Sequence, residues 1–84
     1  MSKELGGRLG VAEAILKELS RGSVRRTALE KRVCKSTGIS YACFSGMFVW
    51  LVCDGDVEKC SCDYNAPFRI TRKGEASLAW RAMV

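Results

Sequence analysis

Five cysteines, Cys34, Cys43, Cys53, Cys60 and Cys62, are the residues with the most chemistry to offer. Thiols hold soft metals, form bridges or respond to oxidants. Here they include no Cys-x-x-Cys pair, and the chain contains no histidine to complete a mixed site, so no metal is expected. The missing histidine also removes the usual general base and the serine triad. Four carboxylates, Asp54, Asp56, Glu58 and Asp63, cluster in a turn-and-strand stretch where they read as solubilising charge. No base stands near a nucleophile at any recognisable spacing. The sequence therefore predicts neither an enzyme nor a cofactor.

The cationic side chains are the other chemical resource. Lys plus Arg number 14 against 9 Asp plus Glu, a net charge of +5 in 84 residues. They are unevenly spread. Residues 1–38 carry nine basic and four acidic side chains, whereas residues 39–66 carry one Lys against the four clustered carboxylates. Residues 67–84 are basic again, with Arg69, Arg72, Lys73 and Arg81 against Glu75. Basic flanks around an acidic middle point to an anionic partner met by particular faces. The composition, 48% hydrophobic and 27% charged, is that of a globular chain and leaves room for one domain over 1–84. No apolar run approaches the roughly 18 residues of a membrane span, and there is no apolar signal core, so a cytoplasmic protein is expected.

A short sequence of elements must position these groups. Leu9, Ala12, Leu16 and Leu19, with Ile15 beside them, follow helical spacing, and Gly22 suits the residue beyond that helix's end. Val24 to Arg26 reads as a stub of strand. Thr27-Ala28-Leu29-Glu30 has the form of a capping box and predicts a second helix opening at Thr27, with Leu29 and Val33 buried. Gly38 ends it, and Ser40 is a good N-cap for a third helix over Tyr41 to Cys53. Phe44, Phe48 and Leu51 share one side of that helix. Met47, Val49, Trp50 and Val52 leave the other side apolar too, so cover on more than one face is expected. Asp54-Gly55 signals a turn, Val57 to Cys62 a strand, 63–67 a loop, and Phe68 to Ile70 the returning strand. Thr71 caps a last helix through Met83, with Leu78 and Ala82 on one face and Trp80 off to the side.

The stretch Glu30 to Trp50 resembles the helix-turn-helix of bacterial and archaeal transcription regulators. Its small residue, its glycine four positions later and its large apolar residue six after that are Cys34, Gly38 and Phe44. They allow close helix crossing, a left-handed turn and a plug between the helices. Val33, Ile39, Met47 and Phe48 fit the flanking apolar positions, and residues 38–45 look like the turn of lac-repressor-type regulators. Residues 51–59 resemble the helix end and wing strand of MarR- and PadR-like winged helices, and residues 68–75 their strand-to-helix return. The resemblance runs from about Leu9 to Met83. Size and cysteine content are similar to the short winged-helix proteins of hyperthermophilic archaea, and the chain has no Gln and a single Asn, both heat-labile types.

The resemblance implies an α+β, mainly α fold: a winged helix-turn-helix with a three-helix core, a two- to three-stranded β-wing and a C-terminal helix. It implies a transcription regulator that lays its third helix in the major groove of double-stranded DNA. Carried over, the groove-facing positions are Tyr41, Ala42, Ser45 and Gly46, with Val49 at the margin. Phosphate contacts fall to Arg25, Arg26, Thr27 and Ser40, and to Lys59, Arg69, Arg72 and Lys73 on the wing and its return. Gly46 stands where a long Arg or Lys usually reads guanine, so binding mainly to phosphates with modest sequence readout is expected. Trp50, Trp80, Met47 and Met83 exceed a small monomer's core and suggest a homodimer pairing its first and last helices. If disulfide bonds form, Cys53 with Cys60 or Cys62, and Cys34 with Cys43, are the candidates. Two other readings stay open: a protein-interaction module docking by its apolar third helix, and a thiol-based redox-sensing regulator centred on Cys43 in the first turn of that helix.

Overall fold

The computed structural model describes residues 2–83, with side chains over 10–80. Helix α1 spans Ser2–Ser20, starting well before the predicted Leu9. Its buried stripe is Val11, Ala12, Ile15, Leu16 and Leu19, one side of a 3.6-residue repeat. Leu9 lies outside the described side chains, as do Ala82 and Met83. Helix α1 is the hub of the fold and packs against all three other helices and one strand.

Helix α2 spans Arg26–Thr37 and buries Leu29 and Val33. It opens one residue earlier than predicted. Arg25 is the N-cap, with extended backbone and no side-chain capping bond, and its carbonyl accepts from the Leu29 N–H at 2.9 Å. Thr27 is thus already inside the first turn, where its backbone is helical, and the predicted box with Glu30 does not form. Gly38 ends the helix at φ 76°, ψ 11°, and its N–H bonds the Cys34 carbonyl at 2.8 Å. Only glycine adopts that left-handed geometry without steric cost.

Three residues later the chain enters helix α3, Tyr41–Cys53, bent by 119° from α2. Ser40 caps α3 by accepting from the Cys43 N–H at 3.2 Å. Phe44, Phe48 and Leu51 are buried. The Phe44 and Phe48 rings stack with centroids 5.5 Å apart, and Phe48 meets Phe68 edge-on at 4.8 Å, tying α3 to the sheet. Of the other apolar side only Met47 is covered as predicted, half-buried against the core. Val49, Trp50 and Val52 are exposed, because α1, α2 and the sheet do not reach that part of α3 within the described chain.

Strands β1, Val57–Lys59, and β2, Phe68–Ile70, pair antiparallel with Val57 opposite Ile70 and Lys59 opposite Phe68. The ladder is shorter than the predicted 57–62. Cys60 makes one last bond, from its N–H to the Pro67 carbonyl at 2.9 Å, before the chain turns away. On the other edge of β2, Val24 bridges Phe68 through two backbone bonds of 3.0 and 2.9 Å, the predicted stub reduced to one residue.

Helix α4 spans Arg72–Met83, capped by Thr71, whose hydroxyl accepts from the Gly74 N–H at 3.0 Å. A Cβ at Gly74 would run into the Asp56 carbonyl oxygen and the Ile70 side chain, so only glycine lets α4 approach this closely. Asp56 itself is 2% exposed, unlike the solubilising carboxylate the sequence predicts. Its N–H and carbonyl join the end of α3 to the start of α4, bonding Leu51 and Thr71 at 3.0 Å each. The architecture is α+β and mainly α, with a two-stranded antiparallel sheet.

Candidate nucleic-acid interface

The first turn of α2 faces the hairpin across a cleft of about 310 Å³. Arg25, Arg26 and Thr27 line one side, and Lys59, Tyr64 and Asn65 the other. No acidic residue occupies the first turn of α2, so its free amides and partial positive charge add to the cations. Arg26 is held in place from α3: its Nη2 donates to Ser45 Oγ at 3.1 Å, and its guanidinium lies 5.4 Å from the Phe48 ring centroid.

A second, shallower cleft of about 480 Å³ opens between the end of α2 and the start of α3. Lys31, Lys35 and Cys34 come from α2, and Ile39, Ser40 and Tyr41 from the turn and α3. Lys31 and Lys35 are not among the residues the sequence points to. Their four-residue spacing on a helix was the available signal, since it stacks them on one face beside the turn.

The structure separates the remaining cations by what they touch. Arg69 is engaged by Glu58 at 2.7 Å, its cross-strand partner, and Lys73 by the Asp54 carboxylate at 3.5 Å and its carbonyl. Glu18 holds Arg21 at 3.9 Å and Arg32 at 3.8 Å. Arg72 is exposed at the start of α4, outside both clefts. Among the described residues no carboxylate pairs with Arg25, Arg26, Lys31, Lys35 or Lys59. Of the predicted site residues, then, Arg25, Arg26, Thr27 and Lys59 come together in one cleft and Ser40 and Tyr41 in the other. Ala42 and Gly46 are exposed on α3, and Ser45 is half-buried beneath Arg26. Arg69 and Lys73 are drawn into ion pairs elsewhere.

All five cysteines are free thiols and no two stand at disulfide distance, so neither predicted pairing is formed. Cys60 Sγ turns instead to Ser23 Oγ, 3.4 Å away, leaving Cys53 and Cys62 exposed on separate segments. Cys34 is half-buried while Cys43 is exposed across the turn. Desolvation pushes the Cys34 thiol pKa up, and the Glu30 carboxylate and Cys43 add to the rise. No group of three His, Cys, Asp or Glu among the described residues is placed to hold a metal.

No protein-family model matches the chain, and no curated protein is significantly similar to it. No single helix among the described residues is long and apolar enough to cross a membrane.

Proposed function

We propose that the protein is a winged helix-turn-helix DNA-binding protein, a transcription regulator that grips duplex DNA mainly by its phosphates. The observation carrying this reading is the pair of unneutralised cationic clefts at the two ends of α2, the second of them bordered by the start of α3. Arg26 bonds Ser45 from one side, while Lys31 and Lys35 line the cleft that holds Ser40 and Tyr41 on the other. The 119° bend across a three-residue, glycine-initiated turn falls in the range of about 90–120° typical of helix-turn-helix pairs. Tyr41, Ala42 and Gly46 are open to a groove, and α3 has no acidic residue to repel it. It also has no Arg, Lys, Asn or Gln, so readout of bases is modest.

Fluorescence anisotropy with mixed-sequence duplexes at several salt concentrations tests the reading. With about four phosphates neutralised per subunit, log affinity falls against log salt with a slope of about −4. Association indifferent to salt, or none at low salt, overturns it. Homodimerisation through α1 and α4 belongs to the same proposal and rests on Trp80, 67% exposed on α4.

A second reading, a protein-docking module, draws on the exposed Val49, Trp50 and Val52 of α3. Reversing both Arg25 and Arg26 to Glu separates the two: duplex binding collapses, whereas an apolar protein contact is nearly unaffected.

A further inference from the structure

We infer that the cleft between α2 and the hairpin takes a single unpaired nucleotide, its phosphate held by Arg25 and Lys59 and its base laid against Tyr64. This rests on the nucleic-acid reading above and adds to it a site for a base outside the duplex stack. The lining is cationic and free of carboxylates, which selects an anion. The volume, about 310 Å³, is at the low end of the roughly 300–1,000 Å³ typical of small-molecule sites, so it exceeds a bare phosphate and suits one nucleotide.

Tyr64 supplies the second half of the recognition. It is 91% exposed at the edge of the cleft, has no packing role among the described residues, and presents a bare aromatic face. Beside it the Asn65 amide offers both a donor and an acceptor to a base edge. A base inside a duplex has both faces stacked already and cannot use that ring. A strand end, a single-stranded stretch or a free nucleoside monophosphate can. Arg26, tethered to Ser45, stays at the duplex side of the cleft while Arg25 and Lys59 remain free to close on the phosphate.

Two measurements test this on the full chain. Anisotropy compares a blunt duplex with the same duplex carrying a three-nucleotide 5′ overhang, using the native protein, Tyr64→Phe and Tyr64→Ala. The overhang binds about tenfold tighter than the blunt duplex, Tyr64→Phe keeps that ratio, and Tyr64→Ala brings it to about one. Amide NMR titrations use adenosine monophosphate, adenosine and inorganic phosphate. The monophosphate perturbs residues 25–27 and 64–66 at lower concentration than either fragment. Equal binding of both duplexes together with no preference for the monophosphate overturns the inference, as does an overhang advantage that survives Tyr64→Ala. If no DNA binds at all, the duplex reading fails; the monophosphate result then decides the cleft alone, and saturable binding lost in Tyr64→Ala identifies a free nucleotide as the occupant. Tyr64 is exposed in a loop, and an unchanged circular dichroism spectrum verifies that its variants fold.

Discussion

Arg26 Nη2 donates to Ser45 Oγ at 3.1 Å, joining the first turn of α2 to the second turn of α3. With the Phe48 ring against its guanidinium, Arg26 has fewer rotamers to lose on meeting a phosphate than an untethered surface arginine. The bond orients a cation and leaves the charge unchanged.

That distinction has a measurable consequence. Ser45→Ala keeps every charge and releases Arg26, so duplex affinity falls severalfold while the salt slope stays the same. Arg26→Ala lowers affinity further and makes the slope shallower by about 1. Anisotropy across a salt series checks both, and a slope changed by Ser45→Ala would contradict the orienting role.

Lys31 and Lys35 carry the second cleft. Replacing both with Ala reduces the magnitude of the salt slope by about 2 and weakens all duplex sequences equally, because phosphates are the same in each. Replacing Arg69 and Lys73, already committed to Glu58 and Asp54, changes the slope much less. Equal effects from the two pairs would show that the ion pairs open on binding.

Gly74→Ala places a Cβ against the Asp56 carbonyl and the Ile70 side chain, and α4 must shift to admit it. Overpacking of this kind costs about 1–3 kcal/mol. Urea denaturation is expected to show a lower midpoint with an unchanged m-value. At Gly46, where an added Cβ meets nothing, Ala leaves stability unchanged or slightly raised.

The Cys34 thiol holds its proton more tightly in the folded chain than its ordinary value of 9.0 implies. Its contribution to stability is therefore present below that value and is lost as pH rises through the folded pKa. Alkylation of Cys34 at pH 8 is slower in the folded protein than in urea, and its rate keeps rising with pH past the point where that of the unfolded thiol levels off. Peptide mapping after timed iodoacetamide treatment follows Cys34 separately from the exposed Cys43. A Cys34 that reacts faster when folded would contradict the direction of the shift.

Much of the architecture was legible residue by residue. Gly38, Ser40 and the Asp54-Gly55 turn bound α3 correctly because each acts through local backbone chemistry: a left-handed residue, a hydroxyl cap and a positive φ at Gly55. Phe44, Phe48 and Leu51 declare the buried face by period alone. The start of α2 differs from the expectation because Thr27 to Glu30 satisfies a capping pattern that begins two residues beyond the true cap, Arg25.

The residues alone were enough for the presence and order of the helices and strands, the buried stripe of Phe44, Phe48 and Leu51, and a surplus of cations near the second helix, since all of these follow from local propensity and spacing. Which cations stay available, how deep Asp56 and each thiol sit, and the convergence of Arg25 and Arg26 with Lys59 and Tyr64 were decided only by tertiary structure. Those outcomes depend on contacts between residues far apart in the chain, which no local pattern encodes.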